Sequence, residues 1–223
     1  NKILATFGVN PFEAGIIRET DTTKMVSGSP DLIMPEVQYS TITKDLYNTT
    51  APIFVNATKI NINTDGLEDL NVEKTDLLKT SENAYFRTNL NIQTDTAAEG
   101  EETDSFIVGA ELDKTISAAN EETGESAKIS KLVIFGENAF VTDYPLVQNS
   151  QYSAIMLGGN KDLVLNSIAY LVDREDDITV RKSTGTVTYT ATEQQDMIVK
   201  VIIFTIPAII IIVGIIIWQV RRR

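Results

Sequence analysis

The chain contains no cysteine and no histidine. Without them it cannot build a Ser-His-Asp or Cys-His nucleophile, a His/Cys zinc site or a disulfide. Carboxylates, lysines, tyrosines and hydroxyls are all that remain for chemistry, and no convergent acid/base pair stands out among them. Basic residues are also scarce, 19 Lys and Arg against 31 Asp and Glu, for a net charge of −12. Nucleic acid needs a basic footprint, so it is not an expected partner. There is a single Trp, at position 218, and the tyrosines are scattered, so no aromatic platform is evident. Internal repeats and low-complexity blocks are absent, and no glycine-rich stretch has phosphate-loop spacing. "SGSP" and "LGGN" are turns.

The chain does have a long hydrophobic run at its end. "KVIIFTIPAIIIIVGIIIWQVRRR" carries no charge from Val201 to Trp218 and is interrupted only by Thr205, Pro207 and Gly214. As a helix it spans roughly 27 Å, close to the thickness of a bilayer core. The expectation is therefore a transmembrane helix over 197–220, kinked at Pro207, with Gly214 inside it and Trp218 at the interface. Arg221, Arg222 and Arg223 form a basic end on the cytoplasmic side, because positive charge stays inside. All the acidic residues lie before position 197, so residues 1–182 are expected outside as a domain truncated at its N-terminus, with 183–196 as a Thr-rich tether. The expected location is a bacterial cell membrane, in contact with lipid. A free start at Asn1 implies a longer parent protein that begins translocation upstream.

Along the outer region, "NKILATFGVNP" reads as a helix end stopped at Gly8. "GIIRE", "APIFVNATKININ", "NVEKTDLL" and "SFIVGAEL" read as strands. "KLVIFG" (131–136) is apolar on both faces, as in a central parallel strand covered by helices. "DTAAEGEETD" (95–104) and "DKTISAANEETGESAKIS" (113–130) read as acidic surface loops. "NKDLVLNSIAYLVD" (160–173) reads as an amphipathic helix capped by Asn160, with Leu163, Val164, Ile168, Leu171 and Val172 on one stripe. "DITVRK" closes the domain as a short strand. Apolar strands mixed with a helix predict an α/β layered fold.

Ligands in such sheets bind beyond the carboxyl ends of strands, which singles out Glu137, Asn138 and Asp143 in "FGENAFVTD". The same residues suit a turn and cap after a strand. "DREDD" alternates carboxylates but lacks the central Gly and distal Glu of a calcium loop, and suits a solvated helix exit. Asn48 and Asn56 stand in N-x-T sequons. No metal or cofactor is called for.

Several stretches in order ("FGVNPFEAGIIRETD", "SPDLIMPEVQYSTITKDL", "DLLKTSENAY", "KLVIFGENAFVTD" with "NKDLVLNSIAYLVDRED", then "ITVRK" and the terminal run) resemble the C-terminal half of the GldG-type proteins. These are auxiliary extracytoplasmic components of bacterial ABC transport systems, first associated with gliding motility. The resemblance implies a Rossmann-like or glutamine-amidotransferase-like α/β domain. It also implies partnership with an ABC-2-type permease and a cytosolic ATPase. Amidotransferases proper use a Cys and a His that this chain lacks, which favours a non-enzymatic role. The expected function is that of an accessory subunit binding cargo or gating the permease from outside. The alternative is a membrane-anchored surface module that binds a glycan or a protein without a transporter.

Overall fold

The computed structural model describes residues 2–92, 94–120, 122, 124–145 and 152–174, and further on residues 205, 207, 217–219, 221 and 222. The chain divides into two units, 1–180 and 181–223.

The first unit is built mainly of antiparallel sheet. A short helix α1 (Lys2–Ala5) leads into β1 (Ile16–Arg18), β2 (Met25–Val26), β3 (Ser29–Ile33), β4 (Glu36–Val37) and β5 (Phe54–Val55). Then come β6 (Val72–Lys79), β7 (Tyr85–Arg87), β8 (Glu102–Thr103), β9 (Ile107–Ser117) and β10 (Lys128–Phe135), and the helix α2 (Asn160–Leu171). The largest sheet has the order β10-β9-β6-β4, and two three-stranded sheets have the orders β1-β7-β8 and β2-β3-β5. Every pairing among these strands is antiparallel.

This corrects the expected Rossmann-like α/β fold. The misleading segment was "KLVIFG". Its apolar character on both faces is real, but the cause is different from helices covering a parallel strand. In β10, Leu132 and Ile134 pack on a cluster containing Phe7, Val9, Ile60, Leu67, Ala110 and Leu112. Val133 and Phe135 pack on the other side, against a cluster containing Phe54, Leu77, Leu78, Phe86, Phe140 and Leu163. An antiparallel strand buried on both faces loses its alternation just as a parallel one does. Among the described strands β10 pairs only with β9. The acidic segment after Leu112, expected as loop, continues β9 to Ser117, and the hairpin returns as β10 at Lys128.

Helix α2 forms where its pattern predicts, but it is rotated. It buries Asn160, Leu163, Asn166, Ser167 and Tyr170, which repeat every three to four positions. Of the expected apolar stripe only Leu163 is fully covered, while Ile168, Leu171 and Val172 are 52%, 42% and 55% exposed. The cause is polar: Asn166 Nδ2 donates to the buried Ile42 carbonyl at 2.9 Å, and the Ser167 hydroxyl donates to the Leu163 carbonyl at 2.7 Å. Gly159 rather than Asn160 occupies the helix-cap position. The Asn160 side chain instead bridges elsewhere, accepting from Ile53 N–H at 2.7 Å and donating to the carbonyls of Ile53 and Ala154.

The expected C-terminal membrane span is also corrected. Among the described residues no helix is long and apolar enough to cross a membrane. A helical span needs a continuous apolar helix, and the described residues of 197–220 are too few to show one. The bacterial-membrane location and its inside/outside orientation, argued from that span, lose their support with it. Most of 197–220 lies outside the described residues, including Val201 and Gly214, as do Arg223, the tether 183–196 and "DITVRK". In the second unit Thr205, Pro207, Ile217, Trp218, Gln219 and Arg221 are helical. There the Arg222 guanidinium lies 4.8 Å from the Trp218 ring centre, and Arg222 N–H donates to the Trp218 carbonyl at 3.2 Å.

Candidate functional site

The carboxyl end of β10 runs into Gly136, where two backbones meet. Gly136 N–H donates to the Val108 carbonyl at 2.9 Å, and the Gly136 carbonyl accepts from Thr58 N–H at 2.7 Å. A Cβ at this position would stand 2.0 Å from the Thr58 carbonyl oxygen, so only glycine permits the approach.

Glu137 follows and turns the chain into a 3-10 turn, Ala139–Val141. Both of its carboxylate oxygens are used: Ala139 N–H donates to Oε1 at 2.6 Å and Phe140 N–H donates to Oε2 at 2.7 Å. Burial pushes the Glu137 carboxyl up in pKa, against the opposing pull of these N–H groups. The turn drives Phe140 into the core, its ring centre 4.8 Å from that of Phe54 and 5.2 Å from that of Phe135.

Two clefts open on either side of this ridge, and Phe135, Glu137 and Asn138 line both. One, of about 430 Å³, faces Phe12, Asn56 and Thr58. The other, of about 340 Å³, runs between the ridge and α2, lined by Val133, Phe140, Val141, Val164, Ile168 and Leu171. The structure therefore brings Glu137 and Asn138 together at the shared wall. Asp143 lies exposed beyond the turn and lines neither cleft. With each oxygen accepting from a backbone N–H, the Glu137 carboxylate holds the turn in place. The arrangement is suited to holding an apolar group against α2 with an amide and a carboxylate at the rim.

A second polar group, not singled out by sequence reasoning, lies under the other end of α2. Tyr170 donates to Asp113 Oδ2 at 2.5 Å, and the Lys131 ammonium sits 4.0 Å from the Tyr170 ring centre. Lys131 also donates to the Tyr170 carbonyl at 3.1 Å and to Asp173 at 2.6 Å. Burial, together with the neighbouring Asp113 and Glu111, pushes the tyrosine hydroxyl far above its ordinary range. Burial likewise raises Glu111, with Asp113 adding to the effect and the Tyr170 hydroxyl opposing it. Asp113 and Glu111 are two apart on β9, hence on one face, and Lys131 is the register partner of Asp113. That alternation was available in the sequence, but only after β9 was recognised as extending past Leu112. The group pins α2 to the sheet. Among the described residues no set of three or more Asp or Glu side chains is close enough to hold a metal ion.

Comparison of the chain with family models, with curated proteins and with solved structures finds no match in any of the three. What fold and site define is an antiparallel β domain with two clefts flanking one ridge, one of them closed by a helix. The likeness to GldG-type proteins rests on the sequence motifs alone.

Proposed function

We propose that this chain is a non-catalytic binding domain, an accessory component of an ABC-2-type transport system that engages the cargo or the permease. ATP hydrolysis is then left to a partner ATPase, since the sequence has no phosphate loop. The observation that carries this reading is the rotation of α2. The helix places polar side chains in the core and leaves Ile168, Leu171 and Val172 outside, beside an apolar cleft. Exposed apolar side chains grouped around a cleft are a common feature of protein-binding surfaces. The order of motifs resembling GldG-type proteins supplies the transporter.

The test is affinity capture of the tagged protein from cells that express the candidate transporter. Recovery of the permease and the ATPase in stoichiometric amounts with the native sequence is expected. Loss of both is expected with Ile168→Asp combined with Leu171→Asp, at unchanged thermal stability. Recovery of the native protein alone would rule out the transporter role and leave a binding module that works without one.

A further inference from the structure

A third cleft lies between β4 and the turn at 46–50, with a volume of about 510 Å³. Its character is the opposite of the α2 groove. Gln38, Asn48 and Thr50 line it, and among the described residues their side chains hydrogen-bond to nothing. Lys24 and Glu36, also in the wall, are paired with each other at 2.8 Å. Tyr47 forms one side.

The tyrosine stands beside a second aromatic ring. Its ring stands at 83° to that of Tyr39, with centres 5.6 Å apart, so the edge of one ring meets a face of the other and the pair still leaves each ring at least one face uncovered by its partner. Tyr39 is 69% and Tyr47 41% exposed. The backbone beneath is fixed: Leu46 is buried, and its carbonyl accepts from the N–H groups of Thr49 and Thr50 and from the Thr49 hydroxyl. Asn48 adopts a left-handed φ of 56°, a conformation that asparagine tolerates better than most residues.

We propose that this cleft binds a neutral oligosaccharide, with Tyr47 as the stacking surface. Carboxamides and hydroxyls offer donors and acceptors together, as a sugar's hydroxyls require. An aromatic ring offers an apolar face to the C–H side of a pyranose while its hydroxyl stays in water. The single ion pair in the wall is neutral overall and the chain is acidic, so a phosphate or other anionic ligand gains nothing here. An extended peptide adding to the edge strand β4 is the competing occupant. That strand is only Glu36–Val37, too short for a useful ladder of backbone bonds. The volume lies in the range of small-ligand clefts, roughly 300–1,000 Å³.

The experiment is titration of the full chain with cellotriose, maltotriose, mannotriose and chitotriose, followed by ¹H–¹⁵N spectra. At least one sugar is expected to shift the amides of 36–38 and 47–50 and leave those of 168–172, at the far end of α2, unmoved. Tyr47→Ala is expected to weaken that binding at least tenfold, and Tyr47→Phe to preserve most of it. Gln38→Ala, which removes a side chain with no bond of its own, is expected to weaken it several-fold and so serves even if Tyr47→Ala fails to fold. Absence of shifts with all four sugars would overturn the proposal, as would native binding by a folded Tyr47→Ala or Gln38→Ala variant. Shifts at 36–37 with an extended peptide and none with the sugars would overturn it in favour of strand addition.

Discussion

Arg87 and Glu101 meet through two parallel contacts in the interior, Nε to Oε1 at 2.8 Å and Nη2 to Oε2 at 3.0 Å. The guanidinium is 1% exposed and also donates to the carbonyls of Ile92, Thr94 and Thr96. One side chain of β7 thus organises the segment up to β8. A two-point fork of this kind is specific to arginine.

Removing one partner leaves the other buried and unpaired, so Arg87→Ala is expected to cost about 3–5 kcal/mol and Arg87→Lys a large part of that. Chemical denaturation measures the loss. Limited proteolysis is expected to cut first within 88–100. Equal resistance to cleavage in the variant would show that Arg87 does not hold the loop.

Glu101 adds a pH dependence of definite sign. The hydrogen bonds from Arg87 hold its carboxyl below the ordinary glutamate value, against the cost of burial. A depressed folded pKa contributes stability that is present above the unfolded value and is lost as pH falls through the folded one. Glu101→Gln is therefore expected to be less stable than the native chain at neutral pH. The difference should shrink in acid below the usual glutamate range. Thermal melts across about pH 2–7 would read it.

Glu111 behaves in the opposite sense. Burial raises its carboxyl, Asp113 and Glu73 add to the rise, and Tyr170 and Lys131 oppose it. Its contribution is fully present below the unfolded pKa and is lost as pH rises through the raised folded value. Glu111→Gln, which keeps the shape without the charge, is expected to raise Tm at neutral pH and to leave it unchanged in acid. A lower Tm at neutral pH would mean that the Glu111 charge is stabilising.

Gly136→Ala is expected to destabilise by roughly 3 kcal/mol or more, since the added carbon would meet a backbone oxygen that no rotamer change can move aside. Gly28→Ala is a useful control with the opposite environment. There a Cβ meets nothing within 4 Å, and only the left-handed φ of 71° opposes it. Comparable losses at the two positions would show that steric contact is not what makes Gly136 necessary.

Asn160 joins the start of α2 to the strand region before it through three bonds to backbone groups of Ile53 and Ala154. Asn160→Ala leaves the N–H and the carbonyl of Ile53 without these bonds, while the Ala154 carbonyl keeps the N–H of Leu157, at a cost of about 2–3 kcal/mol. Hydrogen exchange is expected to accelerate at Ile53 N–H, which donates to the Asn160 carbonyl oxygen. Unchanged exchange there would show that the bond contributes no protection.

Local pattern made several elements legible from the sequence. β1 follows from its pair of isoleucines, α2 from its spacing, and the early stop at Gly8 from glycine's access to a φ of 76°. Composition alone removes nucleophilic catalysis by cysteine or histidine. These are properties of the chain that no folding can alter.

Tertiary structure decided the rest. Hydrophobicity does not encode strand direction, so β10 could be parallel or antiparallel until its partner β9 was known. The stripe of α2 could not be oriented from its own residues, because the Ile42 carbonyl that Asn166 satisfies lies more than a hundred positions away. Glu137 was visible as a residue after a strand, but that its two oxygens are occupied by Ala139 and Phe140 depended on the turn it makes. Burial of a polar group is favourable only when a distant partner arrives, and that partner is supplied by the fold.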